Sequence, residues 1–224
     1  MTTKRRPEDT PDPVGAMETL QALMRAYPDA DCALVHRNPW ELLCATVLSA
    51  QCTDKRVNMV TPELFKRYPD PAAMAEADPM EIESLIRSTG FYREKTRSLI
   101  AISQDIVGRF GGRVPETMDE LITLRGVARK TANVVLGTGF GKNEGVVVDT
   151  HIGRLARRLG WTQEKDSVKV ERDLMALFPR ELWTTLGHTL ILHGRTICEA
   201  RKPRCGECPV AHRCPSAANL SEAG

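Results

Sequence analysis

The sequence predicts an all-α fold, and three observations carry that expectation. Helix-start signatures recur, each pairing a capping side chain with a proline suited to the first helical turn: Asn38-Pro39, Asp70-Pro71 and Asp78-Pro79. Apolar residues return at helical spacing over several long segments. Strand signals are nearly absent, the best candidate being the short run "GVVVD" from Gly145 to Asp149. With 224 residues and 42% hydrophobic content, the chain can bury the core of one large domain or of two small lobes.

Taken in order, Asn38 opens the first well-marked helix, and Glu41 three residues on completes a possible capping box. The segment "WELLCATVLSAQ" (Trp40 to Gln51) is apolar on nearly every face, as suits a helix at the centre of a bundle. "YREKTRSLIAISQDIVGRFGG" is amphipathic and is expected to stop at Gly111-Gly112. A short helix ending near Thr123, a tight turn containing Gly126 and a new helix from about Arg129 make a helix-hairpin-helix across "LRGVARKTANVVL". "ERDLMALFP" and "ELWTTLGHTLILHGR" are also helical in pattern. The first fifteen residues and the tail from Pro215 are polar and are expected to be mobile.

No segment approaches the ~20 consecutive apolar residues of a membrane span, and "MTTKRRPEDTPDPVG" lacks the apolar core of a signal peptide. A cytoplasmic protein without membrane partners is therefore expected. The net charge of +2 decides little, but its distribution says more. Arg195, Arg201, Lys202, Arg204 and Arg213 face only Glu199 and Glu207, so an anion such as a polyphosphate is the expected partner of that end. The acidic stretch from Asp70 to Glu83 reads as ordinary solvated surface.

Four of the seven cysteines, Cys198, Cys205, Cys208 and Cys214, fall within one short loop at the spacing Cys-x6-Cys-x2-Cys-x5-Cys. In a reducing compartment such a group binds metal rather than forming disulfides, and zinc or an iron-sulfur cluster are the candidates. Zinc sites usually pinch one ion between two CxxC-like pairs, whereas only one CxxC is present here. The wide arms suit separate irons, so the iron-sulfur reading is favoured and zinc stays open. Cys32, Cys44 and Cys52 are isolated among apolar neighbours and read as core or incidental residues. His151, His188 and His193 read as structural.

The hairpin turn exposes backbone N–H groups beside a helix N-terminus, which favours a phosphate. Together with the cysteines it makes the chain resemble the endonuclease III family of base-excision repair DNA glycosylases. The matching segments are "LLCATVLSAQCTDKRVN", "LRGVARKTANVVL", "VVVDTHIGRLARRL", "LILHGRTIC" and the cysteine tail, in order from about residue 36 to 214. The resemblance implies a two-lobed helix-hairpin-helix glycosylase fold, with a 4Fe-4S cluster on Cys198, Cys205, Cys208 and Cys214. One lobe would span 37–145 and the other 16–36 plus 146–214, leaving 1–15 and 215–224 outside. The catalytic pair would be Lys130 and Asp149. DNA contacts would come from Arg125, Gly126, Val127, Ala128, Arg129 and Thr131 of the hairpin, and from Lys202 and Arg204 of the cluster loop. Gln51 would plug the gap left by an extruded base and Phe91, where the family more often has leucine, would be the wedge. The implied partner is duplex DNA with a damaged base or abasic site, met by a monomer associated with the nucleoid. The implied reaction is removal of oxidised pyrimidines followed by strand cleavage.

The residue types support that chemistry independently. Breaking a glycosidic bond and then the strand needs an amine able to attack C1′ and form a Schiff base. Lys130 lies early in a helix beside Arg129, and both surroundings favour a neutral amine. Asp149 precedes the helix "THIGRLARR" and is expected to cap it, while its charge stabilises the sugar cation formed as the base leaves. Two rivals stand beside this reading: the related adenine-mismatch glycosylase, which generally lacks this lysine, and a non-catalytic iron-sulfur DNA-binding or redox-sensing protein, which needs neither Lys130 nor Asp149. The hairpin also departs from the usual L-P-G-V-G-x-K, with Arg125 in place of proline and Ala128 in place of the second glycine. A looser turn, strain at residue 128 if its φ is positive, and a new phosphate contact from Arg125 are expected.

Overall fold

A computed structural model describes residues 11–221 of the protein. In chain order its helices are α1 (Pro13–Ala26), α2 (Pro39–Leu48), α3 (Asp54–Arg67), α4 (Pro71–Ala75), α5 (Pro79–Ile86) and α6 (Tyr92–Phe110). They continue as α7 (Met118–Leu121), α8 (Arg129–Val134), α9 (Thr150–Arg158), α10 (Ser167–Leu177), α11 (Trp183–Thr196) and α12 (Ala217–Ser221). Among the described residues there is no strand, and no helix is long and apolar enough to cross a membrane. The chain divides into two compact units, Cys32–Glu144 and the described residues of Met1–Asp31 with Gly145–Gly224.

Local chemistry fixes most helix starts. Asp12, Asn38, Thr53, Asp70, Asp78, Thr117, Asp149 and Asp166 each accept a backbone N–H of the first turn that follows. At α2 the capping box is only half formed. Asn38 Oδ1 accepts the Glu41 N–H at 2.9 Å, but the Glu41 carboxylate turns instead to the backbone N–H and the Nε of Arg37, both at 2.8 Å.

In the unit Cys32–Glu144, α2 is buried on nearly every face, as its sequence predicts. Leu43 and Leu48 pack with Leu64 and Phe65 of α3, Ile82 and Ile86 of α5, and Leu99, Ile102 and Ile106 of α6. Burial of each such side chain stabilises the unit by about 1.5–3 kcal/mol. Helix α6 stops at the predicted glycine pair, where Gly111 and Gly112 take φ of +60° and +79° and the Gly112 N–H returns to the Ile106 carbonyl.

The other unit packs Leu20 and Leu23 of α1 with Ile152 and Leu155 of α9, Val170 and Leu174 of α10, and Leu186 and Leu190 of α11. Trp161 meets Phe178 edge-on, with ring centroids 4.8 Å apart. The run from Gly145 to Asp149, the best strand candidate, forms no strand. It is irregular, and Val146 is buried in the helical core rather than paired with another strand. The expected mobile ends also need correction where they can be seen: α1 begins at Pro13, capped by Asp12, and α12 occupies part of the tail. The rest of those two expectations, residues 1–10 and 222–224, lies outside the described residues.

Candidate functional site

In the unit Cys32–Glu144, three exposed features descend from the sequence reading. The first is the hairpin between α7 and α8. The Leu124 N–H donates to the Leu121 carbonyl and the Val127 N–H to the Leu124 carbonyl, each at 3.1 Å, which winds the turn tightly. Leu124 and Val127 are buried and anchor it, so Val127 offers only its backbone to a ligand. Gly126 has φ +74°, and a Cβ there would lie 3.2 Å from Ser98 Oγ. Conformation and close approach both require glycine. Arg125, Gly126, Ala128, Arg129 and Lys130 are exposed and Thr131 is half-buried.

Two expectations about this turn change. Ala128 takes φ −87° and ψ 169°, an extended conformation open to any residue, so the feared strain at this position does not arise. Arg125, expected to meet phosphate, also has a partner within the chain: its guanidinium bonds Glu94 Oε1 at 2.8 Å, and that bond holds the Glu94 carboxyl below the usual carboxylate range. After α8 the chain passes into a π turn, Val135–Gly139, where Gly139 packs closely against Leu42 and Pro39.

The other two features are turns. Gln51 lies beyond the end of α2 and Phe91 immediately precedes α6. They are the only two non-glycine residues with positive φ among the described residues, at +53° and +46°. Such backbone costs about 1–3 kcal/mol per residue and persists only where surrounding structure imposes it. Both side chains are exposed, Phe91 by 69%, so this phenylalanine does not pack on its own unit. Sequence reasoning missed the group that holds the turn of Phe91, Lys95. It is 5% exposed and its Nζ donates to the Thr89 carbonyl at 2.8 Å. The signal was present: Lys95 lies on the same helical stripe as Leu99, Ile102 and Ile106, all fully buried.

In the other unit, Asp149 is the cap of α9 that the sequence predicts. Its Oδ1 accepts the Ile152 N–H at 2.8 Å and its side chain is half-buried. At the far end of α9, Arg158 donates to Cys198 Sγ at 3.2 Å, to the Glu199 carbonyl at 2.7 Å and to the Ala200 carbonyl at 2.9 Å. Arg154 donates to the Gly194 and Cys198 carbonyls at 2.9 and 3.0 Å. Neither arginine was singled out from the sequence, because their partners lie some forty residues away.

Cys198, Cys205, Cys208 and Cys214 line one pocket of about 380 Å³, together with Leu155, Leu159 and Ile197. None of the four is in a disulfide. Burial pushes the Cys208 and Cys214 thiols up, and the neighbouring cysteines of the set push in the same direction. Such thiols give up their protons when a cation compensates the thiolates. Among the described residues no three His, Cys, Asp or Glu side chains converge as ligands of a single ion. Four sulfurs lining one pocket fit a cluster with one thiolate per iron. His193 is buried beside them, its Nε2 3.6 Å from Cys208 Sγ and its Nδ1 2.8 Å from the Tyr27 hydroxyl. Burial pushes its imidazole down to about 4.

The basic run is less available than its composition suggests. Arg204 is held by Glu207 at 2.8 Å and by the Thr196 carbonyl, and Arg213 by Glu18 at 2.6 Å, while Lys202 is exposed.

Comparison with known proteins agrees with these features. Residues 44–180 match the model of the HhH-GPD superfamily base excision DNA repair protein, and residues 198–214 match the iron-sulfur binding domain of endonuclease III. Endonuclease III of Synechocystis sp. is 55% identical over 202 residues, covering 90% of this chain and 92% of its own, and that of Bacillus subtilis is 46% identical over 189 residues, covering 84% and 86%. The structure of a non-covalent endonuclease III-DNA complex superposes with a TM-score of 0.89 at 42% identity, covering 95% of this chain and all of that one. A trapped endonuclease III-DNA covalent intermediate gives a TM-score of 0.87 at 42% identity, covering 94% and 99%. The hairpin, the capped aspartate and the four-cysteine loop thus come together in a chain that belongs to the endonuclease III family of base-excision DNA-repair proteins and carries its iron-sulfur cofactor, a 4Fe-4S cluster.

Proposed function

We propose that this DNA glycosylase and abasic-site lyase removes oxidised pyrimidines from duplex DNA, with Lys130 as nucleophile and Asp149 as its electrostatic partner. The observation that carries the reading is Lys130 itself, an exposed amine on the first turn of α8, directly after the glycine turn. A covalent intermediate with DNA is described for the similar endonuclease III, and such an intermediate requires a nucleophile of this kind.

The Lys130 amine attacks C1′, the C1′–N bond breaks, and the base leaves with a proton. The C1′–O4′ bond then opens, the ring oxygen taking a proton, and the resulting iminium acidifies the C2′ hydrogen. Loss of that proton expels the 3′ phosphate by breaking the C3′–O bond, and water then releases the lysine. Asp149 supplies negative charge to the sugar cation as the bond to the base breaks, and its bond from the Ile152 N–H keeps its carboxylate oriented. Gln51 and Phe91 fill the space vacated by the base, and the exposed backbone of Gly126 and Ala128, with Arg125 and Arg129, contacts the phosphates. The 4Fe-4S cluster, held by Cys198, Cys205, Cys208 and Cys214, supplies structural cross-linking of a loop that presents Lys202 and Arg204. One chain supplies both reacting groups, which supports action as a monomer on nucleoid DNA in the cytoplasm.

Lys130→Gln tests the assignment. It is expected to abolish lyase activity and borohydride trapping on an oligonucleotide with one oxidised pyrimidine, while duplex binding stays within about threefold because the amine makes no ground-state contact that the hairpin lacks. Trapping at the parent level would remove Lys130 from the mechanism.

A further inference from the structure

Among the described residues, the two exposed residues in left-handed backbone, Gln51 and Phe91, lie on different segments of the chain, and one buried side chain holds the turn of Phe91. Lys95 stands on the first turns of α6, with its own N–H donating to the Phe91 carbonyl at 3.1 Å and its Nζ to the Thr89 carbonyl at 2.8 Å. Thr89 closes the short 3-10 turn Arg87–Thr89, and Gly90 follows at φ +71°. A single residue therefore grips the turn of Phe91 on both sides of Gly90.

A lysine used only to cap a helix end does so from solvent, where its ammonium stays hydrated. This one is 5% exposed, and burial lowers its affinity for the proton. Keeping a desolvated cation is unfavourable unless its directed hydrogen bonding fixes something that packing alone does not. Here the element it fixes is a turn where a non-glycine residue, Phe91, is held in strained backbone with its side chain in solvent.

Resting on the DNA-repair reading above, we propose that Lys95 is a positioning residue for base extrusion: its buried side chain sets the turn that presents Phe91 to the duplex. It touches neither the sugar nor the base, and the lyase chemistry does not require it. Its loss therefore damages one substrate class and spares another. Excision of an oxidised pyrimidine from duplex DNA needs the base to leave the stack, whereas strand cleavage at a preformed abasic site in a single-stranded oligonucleotide needs no extrusion.

The test is the ratio of these two activities in parent protein and in Lys95→Met, both with the cluster bound. Duplex excision is expected to fall on the order of 10- to 100-fold, as small misplacements of positioning groups do, while single-strand cleavage stays within about twofold. An unchanged ratio, whether both activities persist or both fall together, overturns the proposal, because a merely structural role lowers both equally. If Lys95→Met does not fold, Lys95→Gln replaces it, its shorter side chain leaving the Thr89 carbonyl unreached, with the same two outcomes. Absence of borohydride trapping in the parent protein overturns the functional reading, and this inference with it.

Discussion

The turns at Gln51 and Phe91 and the cysteine loop at residues 198–214 are all short, exposed and irregular, yet they are held by opposite means. Beneath the turns lies a packed core, with Val57, Ile86 and Leu99 fully buried and Lys95 tied into it. The cysteine loop contributes one fully buried apolar side chain, Val210. Otherwise it surrounds a pocket lined by the four cysteines and is held by guanidinium bonds from Arg158 and Arg154. Packing can impose strained backbone because many contacts share the load, whereas a loop with almost no core depends on a few strong, discrete bonds. The two regions should therefore fail differently.

The largest effect is expected from Cys205→Ala. With so little core of its own the loop cannot keep its conformation once a ligand is lost, so the yield of folded protein and the visible thiolate-to-iron absorbance should both fall several-fold. Full yield of colourless protein with normal circular dichroism would show that the loop is held by packing after all, and the contrast would collapse. A smaller effect of the same kind is expected from Arg158→Met, which removes charged hydrogen bonds to Cys198 Sγ and to the Glu199 and Ala200 carbonyls. The loss of about 2 kcal/mol expected for a half-buried group making such bonds should appear as faster bleaching of the cluster by an iron chelator. Bleaching at the parent rate would mean that the thiolates alone define the loop.

What the sequence could disclose divides along a similar line. Helix starts and the cysteine loop were legible because their signals are local: Asn38-Pro39 or Cys-x2-Cys carries its meaning within a few residues. Asp149 was legible as a cap for the same reason. The run at residues 145–149 was the best strand candidate and forms none, because a short β-branched run fits a helical core as well as a sheet, and only the surrounding helices decide. Nothing in the residue types of Gln51 and Phe91 announces positive φ, since the neighbouring core imposes it. Lys95 was overlooked because a lysine is ordinarily solvated, although its place on an apolar stripe was visible. The bond of Arg125 to Glu94 was not legible because Glu94 lies thirty-one residues earlier in the chain.

Arg125 also gives the smallest and sharpest test, since it joins the hairpin to the helix that carries Lys95. The phosphate contact expected from its sequence position and the observed bond to Glu94 at 2.8 Å compete for one guanidinium. Both side chains are about half exposed, so the pair is screened by salt and neither partner is locked. A guanidinium wholly committed to phosphate would make Arg125→Pro flatten the slope of log affinity against log salt by about 0.9 for duplex DNA. Sharing with Glu94 should reduce that change to a fraction of this value. The informative partner is Glu94→Gln, which removes the competing carboxylate and leaves Arg125 in place. Its slope should become steeper than that of the parent, because the released cation now displaces a counterion from the duplex. If both substitutions leave the slope unchanged, Arg125 serves only to tie the hairpin to α6, and the phosphate contacts of the turn come from its backbone N–H groups and Arg129.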